Sequence, residues 1–162
     1  TEYTYNPKPN DVFVVAITDS NIKQKAINVL KTKNASFRSV IHPTALISEY
    51  CDLGTGVIIY PHVLISTDVS VGCYTIINLG AAMGHDATVG DYSFIGAYGI
   101  IAGWSKVGIG CYIGSGSFIA QRSIVEDGAK VSSNVSVFGK IKSGEIVMPL
   151  RIRKVKGGML TD

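Results

Sequence analysis

A parallel β-helix is the fold this sequence predicts, and three observations predict it. Stepping by six from Ile41 to Val137 lands on an aliphatic residue every time. Four places after each member runs a second series, from Ala45 to Ile141, almost entirely small or β-branched. Glycine recurs directly after the aliphatic, at Gly54, Gly72, Gly84, Gly90, Gly96, Gly108 and Gly114. A period of six suits neither an amphipathic helix nor a lone strand, so internal repetition sets the architecture.

Each hexapeptide is expected to make one short strand and one corner, with three of them, 18 residues, closing a triangular coil. Successive coils stack at about 4.8 Å. The large aliphatic fills the prism, the small residue faces inward beside the corner, and the glycines suit corners needing unusual backbone angles.

Before the repeat, residues 1–40 read as a partial α/β domain. Asp11 to Ile17 is a buried strand, and Asp19-Ser20 caps a helix over about Asn21 to Lys33 with Ile22, Ala26, Val29 and Leu30 on one face. This is a β-α unit of the kind that ends a small α/β domain, whose first strand and glycine turn this chain, starting at Thr1, does not include. It contains no GxGxxG, so no nucleotide fingerprint is expected from it. Residues 41–142 form the β-helix and 143–162 a cap or tail, rich in Lys and Arg, that covers the exposed coil end.

Composition narrows the function classes. Fifteen Lys and Arg against 12 Asp and Glu give a formal charge of +3, too mild for a nucleic-acid binder by charge alone. No long apolar run suggests a membrane span, and the opening TEYTYNPKPN has no signal-peptide core, so a cytoplasmic protein is the default expectation. Cys51, Cys73 and Cys111 are odd in number and form no CxxC pair, which fits reduced thiols.

Of the three histidines, His42 stands before Pro43 where the repeat begins and reads as structural, and His62 reads as an ordinary surface residue. Their spacings put the three on different columns, so no metal site is expected. His85, in GHDATVGDY, falls two places after the inward Met83 and outside the core series. Asp86 follows it, and a carboxylate beside an imidazole fixes its tautomer. Adding one coil reaches Gly103, whose backbone N–H, lying above the histidine, suits a carbonyl oxygen on which charge develops.

The runs IHPTALIS and GHDATVGDYSFIG resemble the bacterial hexapeptide acyltransferases of the sialic-acid O-acetyltransferase and nucleotide-amino-sugar N-acetyltransferase group, over about residues 11 to 150. The resemblance implies a left-handed coil, a homotrimer with active sites between neighbouring prisms, and acetyl-CoA as co-substrate. It further implies His85 as general base, Asp86 as the residue that orients it, and the Gly103 N–H as the donor to the acyl carbonyl. Direct transfer without an acyl-enzyme is expected. The pantetheine arm would follow Ala97, Ser115 and Ser133, and the basic tail, with Arg151 and Lys154, would meet CoA phosphates or merely solubilise the chain. Two departures stand out. Phe94 replaces a second histidine that many members carry nine residues after the first, at a position that would face acyl group or pantetheine, and Val147-Met148-Pro149-Leu150 replaces the usual Gly-Val-Pro-Ala.

The expected activity is acyl transfer from acetyl-CoA to an amino sugar, nucleotide-linked, in bacterial surface-glycan synthesis. Alternatives are O-acetylation of a sialic-acid-like sugar and a non-catalytic trimeric scaffold of the same fold.

Overall fold

The computed structural model describes residues 4–149. A left-handed parallel β-helix forms the body, its two-residue strands stacked into three flat faces. Face I runs from Val40–Ile41 to Ile146–Val147 in seven strands, face II from Leu46–Ile47 to Ser136–Val137 in six, and face III from Asp52–Leu53 to Lys140–Ile141 in six. Along most of the ladder each strand pairs in parallel with the one 18 residues on, as Met83 with Ile101 and Ile101 with Ile119. The register therefore carries the sequence period directly into space.

Inside the prism, Ile59, Ile77, Ile95, Ile101, Ile113 and Ile119 are essentially inaccessible to solvent. Beside them at the corners lie Ala81, Ala87, Ser93, Ser105, Ser117 and Ala129, also buried. The buried corner serines satisfy themselves locally, Ser93 Oγ donating to the Gly108 carbonyl at 2.8 Å and Ser117 Oγ to that of Ser132 at 2.8 Å. That pairing is what lets a hydroxyl occupy an apolar interior.

Three details differ from the expectation. The glycines after the aliphatic do not supply unusual backbone angles. Positive φ falls two places later in the corner, and the glycine is needed because the next coil is too close: a Cβ on Gly96 would lie 2.5 Å from the Ser115 nitrogen. The six-residue period also ends at Val137. Only Phe138 and Gly139 separate that strand from Lys140–Ile141, so Ile141, read as the last of the small series, pairs with Val125 and packs against the core. The ladder then continues past residue 142 to Ile146–Val147, paired with Lys130–Val131.

The third detail concerns the N-terminal unit, where the buried strand expected over Asp11 to Ile17 is reduced to Val12–Phe13, with Val12 and Val14 exposed, and pairs in parallel with Ser36–Phe37 across the helix Ser20–Thr32. Asp19 caps the helix as expected, its Oδ1 accepting from Ile22 N at 2.9 Å. The buried face, however, is Lys23, Ala26, Ile27 and Leu30, while Ile22 is exposed. Lys23 wins the inward place because its ammonium finds two corner carbonyls of the β-helix, Tyr74 O at 2.9 Å and Tyr92 O at 3.3 Å. At the same corner Phe37 meets Tyr74 edge-on, and Tyr74 stacks on Tyr92. The helix is thereby fastened to the solenoid.

Burial pushes the Lys23 ammonium down from 10.5 to about 8. Between those values the unfolded chain holds a proton that the folded chain has released, so stability rises with pH. Burial pushes the Cys111 thiol the other way, from 9.0 up to about 11. There the unfolded chain loses its proton first, and stability falls over that range. Unfolding by urea should therefore show stability increasing from about pH 8 to 9 and flattening above it, with the increase absent in Lys23→Met.

Candidate active site

His85 and Asp86 occupy the corner between faces II and III. The buried Met83 and Ala87 hold that corner from inside the prism, one on each side of the pair. Both polar side chains project outward, each 43% exposed. His85 Nδ1 lies 2.9 Å from Asp86 Oδ2. An ionised carboxylate only accepts, so Nδ1 carries a proton, and in the neutral imidazole it is Nε2 that has the free lone pair. The corner thus holds the imidazole in a fixed orientation.

One coil on, Gly103 closes against this ring. Trp104 N donates to the His85 carbonyl at 3.0 Å, which holds the two corners in register. A Cβ on Gly103 would sit 3.0 Å from His85 Nε2 and 3.2 Å from the His85 carbonyl oxygen, a contact tight enough that the ring would have to give way by a few tenths of an ångström. Among the described residues the Gly103 N–H has no protein acceptor. Gly103→Ala is expected to push the ring aside. A shift of a few tenths of an ångström should lower kcat by less than the roughly hundredfold loss of a misplacement of about 1 Å, with only a small change in melting temperature, checked by steady-state kinetics and calorimetry on the same sample.

The structure does not bring the other expected residues to this corner within one chain. Phe94 lies on face I, across the prism from His85, buried in a cluster with Ile58 and Ile76 and stacked on Tyr112 at 5.1 Å. Ser115 and Ser133 do form one exposed column, but at the corner between faces I and II. Arg151 and Lys154 lie outside the described residues. His42 and His62 also sit at the I–II corner, His42 bonded to Thr44 through Nδ1 at 2.9 Å. Among the described residues no group of three His, Cys, Asp or Glu converges to hold a metal ion.

Two residues at the His85 corner escaped the sequence reading. Trp104 meets the His85 ring edge-on at 4.3 Å between centroids, and the Arg122 guanidinium lies over the Trp104 indole at 5.0 Å. Steps of 18 from Asp86 reach both, so the register contained the signal. Beside the corner an open groove of about 690 Å³ runs along face II, floored by Leu46, Leu64, Met83, Gly84, Ile100 and Ala102. Leu46, Leu64 and Ile100 are exposed apolar side chains on that face.

No protein-family model and no curated protein matches the chain by sequence. Solved structures do match. A histidine-to-alanine variant of GDP-perosamine N-acetyl transferase from Caulobacter crescentus, in complex with CoA and GDP-perosamine, aligns with a TM-score of 0.84 at 26% identity, over 91% of this chain and 70% of that one. The chain has the fold of a sugar N-acetyltransferase. WeeI from Acinetobacter baumannii AYE gives a TM-score of 0.84 at 21% identity, over 88% and 70% of the two chains. The acetyltransferase domain of PglB from Neisseria gonorrhoeae FA1090, in complex with acetyl coenzyme A, gives 0.68 at 19%, over 82% and 65%. Both of these support the β-helix, and the first alone is similar enough in sequence to bear on activity.

Proposed function

We propose that this chain transfers the acetyl group of acetyl-CoA to the amine of a nucleotide-linked amino sugar. The observation that carries the reading is the His85–Asp86 pair beside the unpaired Gly103 N–H, on a fold shared with an enzyme crystallised with CoA and GDP-perosamine.

His85 Nε2 removes a proton from the sugar amine as its nitrogen attacks the thioester carbonyl carbon. Such positioned general bases contribute about 10²- to 10⁴-fold. Asp86 keeps Nδ1 protonated and so keeps Nε2 free to act. Charge building on the carbonyl oxygen meets the Gly103 N–H. The C–S bond then breaks, the CoA thiolate takes the proton held on the imidazole, and an amide remains on the sugar. The amine, rather than a hydroxyl, is the acceptor we favour because a neighbour above 25% identity is an N-acetyltransferase.

The assembly we propose is a homotrimer. The exposed apolar stripe of face II beside the site, Leu46, Leu64 and Ile100, supports a neighbouring chain there. Such a neighbour could bring Phe94, or the Ser115 and Ser133 edge, toward a site they do not reach within their own chain. Among the described residues no helix is long and apolar enough to cross a membrane, and we place the reaction in the cytoplasm, in the supply of modified sugars for surface glycans. The division into an N-terminal α/β unit, the β-helix and a basic tail belongs to the same proposal.

A thiol-release assay with acetyl-CoA and a panel of nucleotide amino sugars tests the activity. Release that depends on one of those sugars supports it, and the absence of both turnover and acetyl-CoA binding would favour a scaffold instead. Sedimentation tests the assembly, a monomer at working concentration counting against it.

A further inference from the structure

At the corner of faces II and III four successive coils carry a side chain at the left-handed backbone position, and glycine takes it only at Gly139, in the shortened last corner. Asp68, Asp86, Trp104 and Arg122 have φ of 57°, 58°, 55° and 61°. The equivalent positions of the other two corners include Gly56, Gly110 and Gly128, and Gly80 and Gly116. Glycine adopts this conformation freely, whereas bulky residues adopt it at a cost, and such costs concentrate at functional sites. The aromatic residues of the III–I corner, Tyr74 and Tyr92, are accounted for by their stack under the N-terminal unit. Trp104 and Arg122 have no such structural account.

Arg122 is exposed, yet it makes no ion pair and no side-chain hydrogen bond among the described residues. It is the one Lys or Arg among the II–III corner residues, which also include the carboxylates Glu49, Asp68 and Asp86. Instead of joining one of them, its guanidinium lies over the indole of Trp104, itself 42% exposed. The indole in turn abuts the His85 ring. Base, indole and cation therefore form a continuous run up the corner. Stacking fixes the plane of a guanidinium while leaving its N–H donors free, and its fork matches the paired oxygens of a phosphate.

We propose that Arg122, held by Trp104, is a diphosphate-binding residue of the active-site corner. The inference rests on the acyl-transfer reading, since both substrates of that reaction carry a diphosphate: the nucleotide-linked sugar and acetyl-CoA. Arg122 anchors one of these diphosphates while the reactive end of the same substrate lies at His85. Trp104 is a positioning residue that aims the guanidinium.

The experiment is calorimetric titration of the full chain with GDP, with CoA and with pantetheine, which lacks the diphosphate. Arg122→Gln should weaken either GDP or CoA about tenfold to a hundredfold and leave pantetheine unchanged. Loss confined to GDP assigns the acceptor's diphosphate, and loss confined to CoA assigns the donor's. Arg122→Lys should recover only part of the affinity, and Trp104→Ala should weaken the same probe while Trp104→Phe retains most of it. Circular dichroism and sedimentation of each variant accompany the titrations. Unchanged affinity for both GDP and CoA in a folded Arg122→Gln, or no binding of either probe by the unaltered chain, overturns the proposal. So does a change of assembly size in that variant, which would make the platform a contact with another chain. Thiol release reports separately on acyl transfer: diphosphate binding that depends on Arg122 without any turnover would remove the catalytic reading and leave the binding site standing.

Discussion

His85→Ala should lower kcat by about 10²- to 10⁴-fold while leaving CoA affinity within a few-fold of its starting value. The range is that of a positioned general base, and the separation of the two effects follows from where the ring sits. Its Nδ1 is occupied by Asp86 and its Nε2 faces the Gly103 corner, so removing it deletes the proton acceptor but no part of the face II groove. Melting temperature should change little, because the side chain is 43% exposed and lies outside the core. Steady-state kinetics beside CoA titration measures both quantities. Full activity in the alanine variant would remove His85 from the chemistry.

Ile101→Ala should be the most damaging simple truncation for stability, costing about 2–5 kcal/mol in denaturant unfolding. Ile101 is completely buried, sits in the middle of face II between Met83 and Ile119, and leads directly into the Ala102–Gly103 corner. A parallel solenoid has little means of collapsing onto such a hole, since its strands are held in register by coils on either side. Lys106→Ala, on the outward side of the next strand, should change stability by no more than about 0.5 kcal/mol. Equal effects at the two positions would mean that the inward and outward assignment is wrong.

Much of this was legible in the residues because a strict period converts position into place. Met83, Ile101 and Ile119 could be set on one inward column, and Gly103 above His85, from the spacing alone. What escaped did so for identifiable reasons. A corner glycine reads as a conformational device because glycine usually is one, whereas the constraint at Gly96 is the backbone of the coil above. The place of Lys23 on the helix's buried face is invisible in the sequence because its partners, two carbonyls more than 50 residues away, have no local signature. Ile141 kept the period on paper, but the two-residue corner at Phe138–Gly139 moves it into the large-residue position. Trp104 and Arg122 carry no patterning signal because outward corner positions follow no hydrophobic rule, and their significance lies in the contacts of Trp104 with Arg122 and with His85. Phe94 marks a different boundary: its place on face I follows from the register, but a role at His85 requires a second chain.

The central claim, acyl transfer to a sugar amine at the His85 corner, is tested most directly by the product itself. The chain is incubated with isotopically labelled acetyl-CoA and a nucleotide-linked amino sugar such as GDP-perosamine, and the sugar is analysed by mass spectrometry and NMR. The account predicts a labelled acetamide at the former amine, one CoA thiol released for each amide formed, and both slowed by about 10²- to 10⁴-fold in His85→Ala. A labelled ester on a hydroxyl, or thiol release with no acetylated sugar, would contradict it.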